Sequence, residues 1–224
     1  SKKADDGVFT VFLNDQAQGD IRWSLLGEHN KFNALNAIAA ARHVGVETQV
    51  AIEALKEFRG VKRRMEVIYQ SENTVVYDDF AHHPTAVALT LEGLKMRFGD
   101  RRLWAIFEPR SATSRRNIMQ DAYAESFDCA DIVILAPPYD QSRIPQEERL
   151  DITQLLQAIR ARGKEAFVFG TKPDTAQEWS AASSAQSIAQ SILPQLMPYD
   201  VIAILSNGGF GGLHQKILHG IPKA

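Results

Sequence analysis

The protein has 224 residues, 45% hydrophobic and 23% charged, with a formal net charge of -2, enough for one large domain or two smaller ones around a sizeable core. The near-neutral balance speaks against nucleic-acid binding, which brings a basic excess, and no apolar run approaches the roughly 18 residues of a membrane span. The single cysteine, Cys129, cannot form an internal disulfide and no signal-peptide pattern opens the chain, so a cytoplasmic location is expected.

The polar start Ser1-Lys2-Lys3-Ala4-Asp5-Asp6 leads without an initiator Met into Val8-Phe9-Thr10-Val11-Phe12-Leu13. This reads as a chain entered in the middle of a sheet; a processed or tagged start on a complete protein is the alternative. Residues 8–13 and 21–26 are predicted as strands around a turn at 14–20. Residues 30–43 form an alanine-rich helical pattern with Phe32, Leu35, Ile38 and Ala39 at helical spacing, stopped by Gly45. A second helix is expected over 47–58 with Val50, Ala54, Leu55 and Phe58 on one side, followed by a basic loop at 59–64.

Beyond residue 70 short apolar runs at 74–77, 103–107, 131–135, 165–169 and 200–205 alternate with helix-length segments at 84–98, 115–127, 151–162 and 176–193. Continuous apolar strands alternating with helices predict an α/β fold, a doubly wound, mostly parallel sheet covered on both faces. The boundary is placed near residue 70, giving units of 1–70 and 71–224. The first is short for an independent core and reads as the tail of a larger domain.

Five segments put polar residues near strand ends, where ligands bind in such sheets. Val75-Val76-Tyr77 runs into Asp78-Asp79, with His82, His83 and a helix-starting Pro84 beyond. Adjacent strand residues face opposite ways, so at most one aspartate should face a ligand. A carboxylate there can accept from a ribose diol, and the histidines can reach phosphates or metal-bound water; an acidic turn with two solvated histidines fits equally. In Gly27-Glu28-His29-Asn30-Lys31-Phe32-Asn33 the two asparagines share a helical face. They suit an adenine edge, although Asn is also a favoured helix cap.

Gly60-Val61-Lys62-Arg63-Arg64-Met65-Glu66 offers arginines for a phosphoryl group or simply a solvated face. Phe107-Glu108-Pro109-Arg110-Ser111-Ala112-Thr113-Ser114-Arg115-Arg116 offers guanidinium and hydroxyl groups for a substrate with several carboxylates, or a capping loop. Ser206-Asn207-Gly208-Gly209-Phe210-Gly211-Gly212, after the last strand and before a helix, reads as a cleft wall or as a phosphate-cradling turn. It is not a dinucleotide fingerprint, because no βαβ unit with a downstream acid remains.

In this order, H-N-x-x-N, G-x-x-R-R-x-E, D-D-x-A-H-H-P, F-E-P-R and a glycine-rich end resemble the Mur ligases, over about residues 25–220. The resemblance implies an enzyme that uses ATP and Mg²⁺ to join amino acids or peptides to UDP-N-acetylmuramate through an acyl phosphate. It implies that 1–70 is the end of the central ATP-binding domain and 71–224 the domain binding the incoming amine, with earlier domains preceding. It implies His29, Asn30 and Asn33 at adenine, Asp79 at ribose, and Arg64, His82 and His83 near the phosphates.

Arg110, Ser111, Thr113, Ser114, Arg115, Arg116 and Asn207 are then candidate contacts to the amine substrate. The alanine-adding branch has F-Q-P-H-R where this chain has Glu108-Pro109-Arg110-Ser111, which resembles the branch that adds the murein tripeptide L-alanyl-γ-D-glutamyl-meso-diaminopimelate. A single alanine as substrate, a folate-polyglutamate type of ligase and a stand-alone nucleotide- or peptide-binding module are the alternatives. No G-x-x-x-x-G-K-[ST] phosphate loop occurs in the sequence, so the chain by itself is expected to be inactive.

Overall fold

The structure is a computed structural model that describes residues 8–23, 25, 27–169 and 181–221. It opens with a hairpin of β1 (Val8–Leu13) and β2 (Gln16–Arg22). Asn14 and Asp15 both have positive φ, 48° and 61°, the conformation a two-residue hairpin turn requires. The second strand therefore starts at Gln16, five residues before the expected position, because this Asn-Asp pair turns the chain in two residues.

Helices α1 (Glu28–His43) and α2 (Thr48–Lys56) pack on this hairpin. The small core holds Val11, Ile21, Ala34, Ile38, Ala51 and Ile52. Here the expected faces need correction: Phe32, Leu35, Val50 and Phe58 are exposed, and Ala34, Ala51 and Ile52 take the inner positions. A two-stranded ribbon offers too narrow a face to cover more than one apolar stripe on each helix.

The second sheet has six strands in the order β3-β4-β8-β5-β6-β7. They are β3 (Glu66–Gln70), β4 (Val75–Asp79), β5 (Leu103–Phe107), β6 (Ile132–Leu135), β7 (Glu165–Val168) and β8 (Val201–Leu205). All are parallel except β3, which runs antiparallel to β4 at the edge. That edge strand was not anticipated: its alternation Glu66, Val67, Ile68, Tyr69, Gln70 is partly polar, and it begins inside the stretch assigned to the first unit.

Period-two alternation sorts the central strands. Val75, Tyr77, Leu103, Ala105, Phe107, Val201, Ala203 and Leu205 face α3 (Pro84–Phe98), α4 (Gln120–Ser126) and α5 (Ile152–Ala161). Val76, Trp104, Ile106, Ile202 and Ile204 face α6 (Ala181–Ile192) and α7 (Leu213–Gly220). Both faces are covered, which is why the strands read as unbroken apolar runs. Helix α7 follows the glycine-rich turn, where a helix without stated bounds was expected.

The helix expected over 115–127 is instead a short 3-10 turn, Asn117–Met119, followed by α4. Arg115 O accepts from Leu150 N, and Arg116 bridges Arg149, so the first residues are drawn into pairing and cannot start the helix. The expected helix over 176–193 is seen as α6; its residues 176–180 lie outside the described residues. No helix among the described residues is long and apolar enough to cross a membrane.

Candidate functional site

Parallel register sets the site. Asp79 pairs with Leu205, and Leu205 with Phe107, so the carboxyl ends of β4, β8 and β5 lie side by side. The residues just beyond them, Ser206 and Glu108, therefore emerge at one edge, where the strand order switches.

A cavity of about 620 Å³ lies between the helical unit and the end of β4. It is lined by His29, Asn30, Asn33, Arg64 and Asp79, against apolar walls that include Trp23, Leu55 and Phe58. Three separated segments of the sequence thus converge on one space. Asn33 Nδ2 donates to Asn30 Oδ1 at 3.4 Å, one helical turn apart. Neither asparagine caps α1: that position is Gly27, at φ 85°.

Asp79 is 4% exposed. Its Oδ2 accepts from Met65 N and its Oδ1 from Ala81 N, each at 2.7 Å. Burial pushes its carboxyl above the usual range, while those two N–H groups and the Arg64 charge pull it back. Desolvation lowers His29 below the ordinary histidine value, with the Asp79 charge opposing. His29 Nδ1 is buried without a hydrogen-bond partner among the described residues, a state that native structures usually relieve with a ligand or water.

Asp78 points the other way, as alternation requires. It pairs with Arg63 Nε at 3.2 Å, and His214 Nε2 lies 3.1 Å from its Oδ1. Arg63 also donates to the carbonyls of Ser206 and Gly208. Arg63 and Arg64 both stack over Phe80, with guanidinium carbons 5.3 and 5.2 Å from the ring centre. The arginine pair divides its work: Arg63 braces the turn after β8, and Arg64 lines the cavity. The family resemblance singles out only Arg64, the arginine that lines the cavity; nothing in the sequence points to the bracing role of Arg63.

The two histidines are not brought into this cavity. His83 caps α3, its Nδ1 accepting from Thr85 N at 3.3 Å. His82 Nδ1 lies 2.9 Å from Phe80 O, and its own carbonyl accepts from the Tyr123 hydroxyl at 2.5 Å. Tyr123 was not among the expected residues.

The arginine and hydroxyl loop lies at the end of β5. Ser111 Oγ donates to Ser114 Oγ at 2.8 Å, and Arg115 reaches the carbonyls of Ser111, Tyr139 and Asp140. Arg116 pairs with Glu148, and Thr113 is exposed. Arg110 stacks over Tyr139 at 3.9 Å, 3.6 Å from Glu108 and pressed against Gly208. Buried Glu108 accepts from Ser206 Oγ at 2.5 Å, a contact invisible in a sequence that separates them by 98 positions. Asn207 Oδ1 beside it is buried with no partner among the described residues. Arg110 and Asn207 thus share one lip, away from the first cavity.

Residues 63–208 match the family described as Mur ligase, glutamate ligase domain. The chain is 39% identical over 220 residues to the UDP-N-acetylmuramate–L-alanyl-γ-D-glutamyl-meso-2,6-diaminoheptandioate ligase of Escherichia coli, covering 98% of this chain and 43% of that protein. It is 34% identical over 215 residues to a UDP-N-acetylmuramate–L-alanine ligase of Desulfitobacterium hafniense, covering 96% of this chain and 45% of that protein. A crystal structure of a murein peptide ligase from Psychrobacter arcticus is similar at a TM-score of 0.64 and 38% identity, over 97% of this chain and 42% of that one. The chain thus spans less than half the length of these relatives. With 146 consecutive residues matched by the family and the strand-end motifs gathered along one sheet edge, the chain belongs to the Mur ligases, a family of ATP-dependent ligases.

Proposed function

We propose that this chain is the nucleotide- and amine-handling part of an ATP-dependent ligase that joins L-alanyl-γ-D-glutamyl-meso-diaminopimelate to UDP-N-acetylmuramate in the cytoplasm. The carrying observation is the convergence of His29, Asn30, Asn33, Arg64 and Asp79 on one cavity of about 620 Å³. Its apolar walls suit a purine ring, and the two amides supply a donor and an acceptor for the ring edge. Each oxygen of Asp79 keeps a lone pair beyond its backbone bond, available to a ribose hydroxyl. Arg64 stands at the phosphate end, and the orphaned Nδ1 of His29 gives a ligand one more hydrogen bond to satisfy. Residues 1–70 then belong to the ATP-binding domain and 71–224 to the amine-binding domain.

ATP supplies the phosphoryl group that activates the muramoyl carboxylate for attack by the peptide amine. Residues of this chain bind and orient: the first cavity holds the nucleoside, and Arg110 and Asn207 hold a carboxylate of the amine substrate. Ser111, Ser114 and Arg115, bonded within their loop, shape that lip; Thr113 and Arg116 lie at its outer edge. The described residues contain no group of three His, Cys, Asp or Glu able to cage a metal; a Mg²⁺ held mainly by phosphate oxygens and water would need no such cage. No step is assigned to it on this chain. With no phosphate loop in its sequence, the 224-residue chain is expected to bind adenine nucleotide weakly and to catalyse no ligation.

Calorimetry on the full-length protein with a non-hydrolysable ATP analogue present, titrating tripeptide and alanine in turn, tests the substrate. Binding of alanine without binding of tripeptide would replace this reading by the single-amino-acid one, the activity named for the Desulfitobacterium relative. Ligation by the purified 224-residue chain would contradict its expected inactivity.

A further inference from the structure

A second cavity of about 470 Å³ lies on the far side of Arg64, between the basic turn and the C-terminal end of α3. Arg59, Lys62, Arg64, Arg97 and Arg101 line it, with Glu66 as its one carboxylate. None of the five cations forms an ion pair among the described residues, although Arg101 is held by the carbonyls of Tyr199 and Asp200. Glu66 is already engaged, accepting from the Arg63 backbone N–H at 2.8 Å. A concave surface of one sign concentrates counter-ions, more so where its walls are partly apolar.

A second, independent observation lies at the floor. Tyr77 is only 4% exposed yet lines this cavity, and its hydroxyl has no hydrogen-bond partner among the described residues. The oxygen itself is not sealed off, so it opens onto the cavity floor and can donate there. Burial pushes this phenol upward, with the Arg97 and Arg101 charges opposing, so at neutral pH it is a donor. A donor at the bottom and cations around the rim form the complement of an oxyanion.

We propose that this cavity is a binding site for a small multivalent oxyanion, phosphate- or carboxylate-bearing, gripped by Lys62 and Arg97 and receiving a hydrogen bond from Tyr77. Guanidinium groups bind both oxyanion classes through paired donors. Arg64 lines this cavity and the first one, so the two spaces share a wall but differ in the residues tested here.

Titration calorimetry of the chain with inorganic pyrophosphate, and separately with citrate, tests the site and tells the two sources apart. Saturable binding of either probe at a single site is expected, weakening as salt is raised. The double variant Lys62→Gln/Arg97→Gln, both side chains exposed, should weaken it about tenfold or more and leave the unliganded unfolding midpoint unchanged. Tyr77→Phe should weaken it about three- to tenfold, the loss of one hydrogen bond. No saturable binding of either probe overturns the proposal. So does binding that persists at full strength in the double variant, whatever the Tyr77 variant does.

Discussion

Arg63 donates from Nε to Asp78 Oδ2 at 3.2 Å while its Nη2 reaches the carbonyls of Ser206 and Gly208. One guanidinium therefore ties the basic turn to the end of β4 and to the turn after β8. Arg63→Ala leaves the Asp78 carboxylate buried with His214 as its nearest remaining polar neighbour. The cost should be about 2 kcal/mol, below the ~3–5 of a fully buried pair because the Arg63 side chain is partly solvated. Urea denaturation measures it. Arg63→Lys restores the charge but not the forked geometry and should recover only part of the loss.

The parallel sheet was legible because fully buried strands such as Val201–Leu205 carry no polar interruption, and helix α3 because Pro84 and Gly99 mark its ends. Edge strand β3 was not legible: it is short, half-exposed and bounded by the polar Glu66 and Gln70, which merge with the loops on either side. Of the candidate site, the inward residues His29, Asn30, Asn33 and Asp79 could be named from their spacing and the family resemblance. The bracing task of Arg63 could not, because it depends on a positive φ at Arg63, set by tertiary contacts. The loop at 110–116 read as three free arginines and three free hydroxyls; local geometry closes several of them on one another.

His29 gives the pH dependence a sign. Its folded value lies below the ordinary one because burial disfavours the imidazolium. The unfolded chain therefore takes up the proton first as pH falls below about 6.5, and stability contributed by neutral His29 is lost through that window. Neutral and higher pH leave both states unprotonated and the contribution intact. Thermal midpoints between pH 7.5 and 5.5 should fall more for the native chain than for His29→Gln. Equal slopes would show that His29 is not buried neutral.

Gly27 holds φ 85° at the start of α1, and a Cβ there would sit 2.9 Å from His29 Cε1. Gly27→Ala thus combines backbone strain of roughly 1–2 kcal/mol with displacement of the imidazole from the first cavity. Stability should fall, and the affinity of the full-length protein for an ATP analogue should fall beyond what partial unfolding explains. Calorimetry at a temperature where the variant is fully folded separates the two effects. Unchanged affinity there would place His29 outside nucleotide binding.

At the opposite end of the sheet Asp200, 1% exposed, accepts from both Arg102 Nε and Nη2 at 2.8 and 2.7 Å. Trp104 Nε1 and Met197 N also donate to it, at 3.0 and 2.9 Å. Asp200→Ala strips the acceptor from all four donors and should cost about 3–5 kcal/mol. Asp200→Asn keeps an acceptor and should cost less. Near this carboxylate the Trp104 indole reports directly, so its fluorescence should change at once in the folded variant. Nucleotide affinity of the folded protein should not, because this cluster lies at the amino ends of the strands.

Gly208 admits Arg110 because it has no side chain: a Cβ there would collide with the Arg110 side chain. Gly208→Ala should push the guanidinium out from between Tyr139 and the turn, breaking its approach to Glu108. In full-length protein the tripeptide KM should rise by about tenfold, the scale of one charge-assisted contact, while the KM for ATP stays put. Arg110→Ala should give the same split, and combining the two changes should add little, since both remove one interaction. Loss of ATP affinity in either variant would mean that this lip serves the nucleotide, and Arg110 would have to be reassigned to the phosphate end.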